Sequence, residues 1–223
     1  MVSQVYRTLA AIVGAVLIVV GGLALWAGAF ADDFIGEQMA QQQITMPSEQ
    51  SIDEQVKGGM ISEETAEDLR PFADQPMSNG THARAYSQYI NDHMQSSAKF
   101  AGVPEEYRSY NGLGKVIADK EAELKEELAK DNPKASEEEL EYLMTKESEN
   151  PKTKYQAARE HAELKSLVND MFFDGNMLKG TLLNVYGWGL VGSIATIAGW
   201  ALLIVGILMV AGGLLLGRKR AEK

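Results

Sequence analysis

The segment GSIATIAGWALLIVGILMVAGG, residues 192–213, contains no charged residue and has glycine at every seventh position. A second apolar segment, GAVLIVVGGLALWAG at residues 14–28, has the same spacing. A seven-residue period keeps one face of a helix in register with a partner helix, and small residues on that face let two backbones approach closely. The pattern predicts two membrane helices with packing faces made of Gly14, Gly21 and Gly28 in the first and Gly192, Gly199, Gly206 and Gly213 in the second. It leaves open whether these faces meet each other or a partner protein.

Both segments are long enough to cross a bilayer, which requires about 20 mainly apolar residues. We predict a first transmembrane helix at residues 9–31 and a second at residues 183–216 that starts in the membrane interface. The flanking charges are Arg7 before the first span, Asp32 and Asp33 after it, and Arg218, Lys219 and Arg220 after the second. Cations favour the cytoplasmic side. We therefore expect the plasma membrane as the location, with residues 1–8 and the basic tail 217–223 in the cytoplasm and the two helices antiparallel.

An alternative interpretation of the first segment is a secretory signal, because Ala29, Phe30 and Ala31 form an A-x-A cleavage pattern. The apolar core of such a signal has only about 7 to 15 residues. The segment here is longer, so a retained span is favoured.

The region between the spans, residues 32–182, is strongly acidic and contains no cysteine. The whole chain has a formal net charge of -10, of which Arg7 contributes one positive charge and the C-terminal tail three, so this region carries about -14. Such a charge disfavours nucleic acid and anionic lipid headgroups as partners and favours basic surfaces or cations. Without cysteine, its stability must come from packing.

Helical signals dominate this region. We predict a helix capped by Thr81 that ends before Gly102, a charged helix from Lys115 to Asp131, a short helix with a capping box formed by Ser136 and Glu139, and a last helix from Thr153 that ends at Asp174 and Gly175. Residues 43–79 are less regular and contain one short helix after Ser62. The expected fold class is a mainly α membrane protein: two antiparallel transmembrane helices plus an extracytoplasmic helical domain.

The sequence contains no convincing catalytic or metal-binding pattern. His82, His93 and His161 lack paired metal-ligand spacing, and a surface or capping role is expected for them. The run Asn111 to Lys115 is similar to a phosphate-binding loop, but Ser109 stands where that loop needs glycine. The clusters of glutamate and aspartate are typical of solvated helix faces. We expect no enzymatic activity, no cofactor and no metal.

The spans contain no ionisable residue, which argues against an ion path or a proton relay built from this chain alone. Ser193 and Thr196 are the main polar side chains of the second span. Both hydroxyls are expected to bond to carbonyl groups of their own helix.

Several short motifs carry a family resemblance. They are the N-terminal span, Gln43-Ile44-Thr45 soon after it, the helix start Gly80 to Tyr86 (GTHARAY), and the glycine-rich C-terminal span. Together they resemble a group of actinobacterial two-span membrane proteins, mostly uncharacterised, relative to which residues 115–149 look like an insertion. In size and topology the chain is also similar to the small accessory subunits of the actinobacterial cytochrome bcc-aa3 respiratory supercomplex. That resemblance implies an assembly role in electron transport without a redox centre.

These observations favour a non-catalytic accessory or scaffold subunit that binds other integral membrane subunits and lipid. The alternative is a standalone cell-envelope sensor whose outer domain binds a ligand. In that case the irregular residues 44–79 would line the site together with an aromatic group comprising Tyr86, Tyr89, Phe100, Tyr107 and Tyr110.

Overall fold

The computed structural model describes residues 2–218, and side chains from residue 4 to residue 214. Met1 and residues 219–223, which include Lys219 and Arg220 of the predicted basic tail, lie outside the described residues, as does the side chain of Arg218. The described residues form helices and no β-strand, with one isolated antiparallel bridge between Thr45 and Pro76. The mainly α fold class is therefore confirmed.

Two helical segments are long and apolar enough to cross a membrane, Gln4–Gln42 and Gln156–Leu214. The chain divides into two units. The first unit contains residues 2–45, 75–84 and 183–218, and the second contains residues 46–74 and 85–182. Helices α4 and α8 contribute residues to both units.

The first unit is built on α1 (Val2–Gln42) and on the C-terminal part of α8 (Asp174–Arg218), with the start of α4 (Gly80–Phe100) beside them. Helix α1 continues well past Ala31, where the predicted span ends. Asp32 and Asp33 are exposed, so their charges remain solvated and do not interrupt the helix. The helix stops where Gln43 adopts a left-handed conformation, with a φ of 52°.

The second unit is a set of shorter helices. In chain order these are α2 (Glu49–Lys57), α3 (Glu63–Leu69), a 3-10 turn (Arg70–Phe72), most of α4, a 3-10 turn (Glu105–Tyr107), α5 (Tyr110–Asp131), α6 (Glu137–Ser148), α7 (Gln156–Ser166), a π-helical segment (Leu167–Phe173) and the first turns of α8. One cluster of buried side chains joins α4, α5, α7 and the π-helical segment, and includes Met94, Leu113, Leu164 and Phe172. A second cluster joins α5, α6 and α7 around Leu124 and Leu128.

Side-chain caps explain most of the helix starts. The predicted capping box is confirmed: Ser136 and Glu139 each bond the other's backbone N–H at the start of α6. Ser62 caps α3, as expected. Helix α2, capped by Ser48, was not predicted. It has only nine residues, mostly polar, and Ile52 is the only one of them that is buried, so it offered few apolar residues from which to predict a helix.

Two predicted helix starts were misplaced. The side chain of Asn79, rather than that of Thr81, accepts the N–H of His82 at the start of α4. Helix α5 begins at Tyr110, because the Ser109 hydroxyl accepts the N–H of Gly112. The run from Asn111 to Lys115 thus lies in the first turns of a helix and not in a phosphate-binding loop.

The predicted helix end at Asp174 and Gly175 was wrong, because α7, the π-helical segment and α8 form one continuous helical path. A Cβ atom built on Gly175 would lie 2.7 Å from the sulfur of Met94. Glycine here permits close packing against α4 inside the helix. In sequence, a glycine after a helical pattern usually indicates a C-cap. At Gly175 the same residue type is required for a different reason, the close approach of α4.

Asp92 on α4 anchors the start of α3. Its Oδ2 atom accepts the backbone N–H and the hydroxyl of Ser62, both at 2.8 Å, and its Oδ1 atom accepts Gln88 Nε2 at 3.2 Å. Burial alone would raise the pKa of Asp92, but the hydrogen bonds outweigh it and hold this pKa below its usual value. The ionised form is thus the one that stabilises the α3–α4 contact.

We predict that this contact weakens in acid. A pKa lowered by folding contributes stability above the unfolded-state pKa, near 3.9 for aspartate, and that stability is lost as the pH falls through the lower folded-state value. Hydrogen–deuterium exchange of the α3 amides in the full-length protein should show protection factors that fall below about pH 4. Asp92→Asn should reduce protection at neutral pH and remove this acid step. Asp119→Asn, on the exposed side of α5, is the control, and an unchanged acid step in Asp92→Asn would contradict the assignment.

Candidate functional site

The seven predicted glycines lie where α1 and α8 approach most closely. A Cβ atom built on Gly14 would lie 2.7 Å from the carbonyl oxygen of Gly206, and one on Gly206 would lie 2.7 Å from the carbonyl oxygen of Gly14. The corresponding distances are 2.8 Å and 2.9 Å for the pair Gly21 and Gly199. No real Cβ atom tolerates such distances to backbone oxygen. Only glycine is compatible with this separation of the two helices.

The contacts follow a regular order along the chain. Gly14 lies against Gly206, Gly21 against Gly199, and Gly28 against Gly192. Each step of seven residues forward along α1 is matched by a step of seven residues backward along α8. The last predicted glycine, Gly213, lies near the carbonyl oxygen of Arg7 and the Cβ of Ala11. We call this set of seven residues the glycine seam.

Burial follows the same period. Six of the seven seam glycines are buried, and Gly213 is half-buried. Gly22 and Gly212 are next to seam residues in sequence, but a Cβ atom on either of them would meet nothing within 4 Å. In α1 the period extends to Ile35, which is also buried. The seam is therefore a narrow buried stripe on helices whose other residues are mostly exposed or half-buried.

Reciprocal glycine contacts also allow weak bonding between the backbones. In the pairs Gly14 with Gly206 and Gly21 with Gly199, the carbonyl oxygen of each glycine lies within 2.9 Å of the position that a Cβ atom on the other would take. Helices that approach this closely can form contacts between Cα–H groups and carbonyl oxygens. In lipid there is little hydrophobic drive for helices to associate, so close van der Waals contact of this kind is the main source of association.

Polar side chains bond to backbone carbonyl groups at both ends of the glycine seam. The Nε atom of Arg7 donates to the carbonyl oxygen of Gly213 at 3.1 Å, which places a cation near the C-terminal end of α8 where the helix dipole favours it. The hydroxyl of Thr196 lies where a side chain on Gly28 would be, and donates to the carbonyl oxygen of Gly192 at 3.0 Å. Ser193 donates to the carbonyl oxygen of Gly189 at 3.0 Å. Both predicted hydroxyl bonds to the same helix are confirmed.

Two further packing glycines were missed from the sequence. A Cβ atom on Gly80 would lie 3.2 Å from the Cα of Tyr186, and one on Gly189 would lie 3.3 Å from the Cα of Gly80. The start of α4, within the GTHARAY motif, therefore packs directly on the backbone of α8. Gly189 lies one helical turn before Gly192, and that spacing was the available signal. Gly80 has no repeat partner in sequence and offered none.

The outward faces of both helices carry large apolar side chains. Trp26, Phe30 and Phe34 stack in succession along α1, with ring centroids 5.8 Å and 6.1 Å apart, and each is more than half exposed. On α8 the exposed set includes Ile194, Ile197, Trp200, Ile204 and Leu208. Apolar surface on this scale needs a cover of lipid or of partner helices.

The three histidines are more buried than a surface role requires, so that part of the prediction was wrong. The predicted capping role is confirmed for His82, whose Nδ1 atom accepts the backbone N–H of Ser78 at 3.3 Å beside the start of α4. His82 and His161 are buried, and His93 is half-buried. The Nε2 atom of His161 lies 3.0 Å from Glu121 Oε1, and that of His93 lies 2.6 Å from Gln55 Oε1. Burial lowers the pKa of His93. Among the described residues, no three histidine or acidic side chains are grouped as a metal site would require.

Comparison with family models, with characterised proteins and with solved structures gives no match to this chain.

The seam predicts a sharp difference between adjacent glycines. Gly21→Leu forces a side chain onto the backbone of α8, and overpacking of this kind costs about 1–3 kcal/mol or more. Gly22→Leu adds the same side chain one residue away, where the space is open. We expect Gly21→Leu to lower the thermal unfolding midpoint of the detergent-solubilised protein and Gly22→Leu to leave it nearly unchanged. Equal effects of the two substitutions would show that the seam does not hold the helices together.

Proposed function

We propose that the chain is a plasma-membrane protein whose two apolar helices form an antiparallel transmembrane pair. The termini would be cytoplasmic, and residues 32–182 would form the extracytoplasmic domain. The reversed order of the glycine contacts supports the pairing, since consecutive glycines of α1 meet consecutive glycines of α8 in descending order. The bond between Arg7 and Gly213 supports placing both ends on one side, where Arg7 and the basic tail favour the cytoplasm.

We further propose that the protein is a non-catalytic accessory or scaffold subunit of a larger membrane complex. One observation carries this proposal: the glycine seam is used within the chain, so the outward faces of α1 and α8 remain as large apolar surfaces. Other integral subunits and lipid would cover these faces. The acidic second unit would then meet basic surfaces of neighbouring proteins.

The resemblance to accessory subunits of the cytochrome bcc-aa3 supercomplex suggests one such assembly. A subunit of that kind would stabilise the quinol-to-oxygen electron-transfer machine without carrying electrons itself. The two-helix layout and the absence of ionisable side chains from the apolar segments are compatible with such a role. The assignment to this complex rests on the resemblance alone.

Engineered cysteines test the pairing directly, because the natural chain has none. A Cβ atom on Gly213 would lie 3.7 Å from the Cβ of Ala11, within the range that a disulfide requires. Under mild oxidation, Ala11→Cys with Gly213→Cys should form a cross-link within one chain. Ala11→Cys with Gly212→Cys is the matched control, since the Gly212 position faces open space. Cross-linking only between separate chains would overturn the intramolecular pair.

Gentle extraction tests the subunit role. The tagged full-length protein, solubilised in a mild detergent from its native membrane, should co-purify with other integral membrane proteins, identified by mass spectrometry. Haem bands in the visible spectrum together with oxidase peptides would support the respiratory assembly. A variant carrying Trp200→Ala and Ile204→Ala on the exposed face of α8 should lose these partners while keeping the seam. A colourless, solitary wild-type protein would contradict the subunit role.

A further inference from the structure

One cleft in the second unit has a charge pattern opposite to that of the region around it. Its volume is about 720 Å³, within the range of small-molecule sites. Arg108 and Lys179 are the only charged side chains among its lining residues, and no carboxylate lines it. The chain as a whole has 31 acidic and 21 basic residues. A cleft with two cations and no acid is therefore unexpected in this chain.

Neither cation is neutralised within the described residues. The Nε atom of Arg108 donates to the carbonyl oxygen of Val103 at 2.9 Å, which fixes the side chain and leaves its terminal nitrogens without a bond to any described residue. Lys179 Nζ donates to the side-chain oxygen of Asn91 at 2.7 Å. Both partners are neutral. An ammonium and a guanidinium held in this way keep donors available for an anion.

The remaining wall of the cleft combines apolar surface with helix-end polarity. Met94 and Phe172 form its buried side, while Phe173 and Met177 are exposed by 51% and 61%. Ser109 and the first residues of α5 also line the cleft, so the positive end of a 22-residue helix adds to the field of the two cations. An anionic group and a hydrocarbon chain would thus find separate, adjacent surfaces.

We propose that this cleft binds an anionic amphiphile: a phosphate-bearing head between Arg108 and Lys179, with an acyl chain over Phe173 and Met177. The site differs from the aromatic group considered in the sequence analysis, of which only Tyr110 lines this cleft. It lies wholly within the second unit and does not depend on the proposed helix pairing or on the subunit role. Lys179 lies on α8, the same helix that continues into the second apolar segment.

Binding to the full-length protein in a neutral detergent tests the site. The probes are short-chain phosphatidylglycerol, phosphatidylcholine with the same acyl chains, and inorganic phosphate, measured by native mass spectrometry or calorimetry. We expect phosphatidylglycerol to bind at least about tenfold more tightly than phosphatidylcholine, because only its head carries a net negative charge. Equal affinities for the two lipids would overturn the proposal. Phosphate that binds as tightly as the anionic lipid would show a small-anion site and overturn the role of the acyl chain.

Substitutions locate the site. Lys179→Gln should reduce the affinity for phosphatidylglycerol roughly tenfold and leave that for phosphatidylcholine unchanged. Lys99→Gln, an exposed lysine on α4 outside the cleft, is the matched charge control. Arg108→Gln should act like Lys179→Gln, but it also removes a bond to Val103, so circular dichroism must first show an intact fold. Met177→Ser should weaken lipid binding without altering any response to phosphate. If Lys179→Gln and Lys99→Gln have equal effects, the cleft is not the binding site.

Discussion

The contact of two helix backbones with no side chain between them is the constraint on which the first unit depends. The carbonyl oxygens of Gly14 and Gly206 each lie 2.7 Å from the position that a Cβ atom on the other glycine would take, and the same kind of contact repeats between Gly21 and Gly199. Dispersion forces decline steeply with separation, so the separation that excludes every Cβ is also the one that gives the largest attraction. In lipid this van der Waals attraction is the main force that joins the helices, because apolar side chains are solvated equally well by acyl chains and by protein.

The sequence was most informative where a regular repeat reflects a regular contact. The seven-residue spacing identified all seven seam glycines, because a constant helix separation demands a small residue at each crossing level. It did not identify the partner face, since a glycine stripe fits its own chain and a foreign helix equally well. The packing role of Gly80 was not predicted for a related reason. Its contact with Tyr186 occurs once, at a helix start, and a single contact produces no repeat in the sequence.

Local signals were less reliable in the second unit, because tertiary packing uses the same residue types as helix ends. Gly175 followed an aspartate and suggested a C-cap, yet it allows close approach of Met94 within a continuous helix. Helix α2 is short and mostly polar, and therefore contained too few apolar residues to be predicted. The cationic cleft could not be foreseen at all. Arg108 and Lys179 are 71 positions apart in the sequence, and only folding brings them to one cleft whose lining residues include no carboxylate.

Helices α1 and α8 each have a glycine face that is buried within the chain and an outward apolar face, and the two faces would contribute differently to partner recognition. Residues that are buried within the chain cannot also contact a neighbour, so the glycines determine the shape of the helix pair and contribute to association only through that shape. In the proposed subunit role, direct recognition would fall to the exposed branched and aromatic side chains, such as Ile197, Trp200 and Phe30. Seam substitutions would therefore act on assembly through folding, and outward substitutions would act at the contact itself. The two classes can be separated by whether stability changes together with binding.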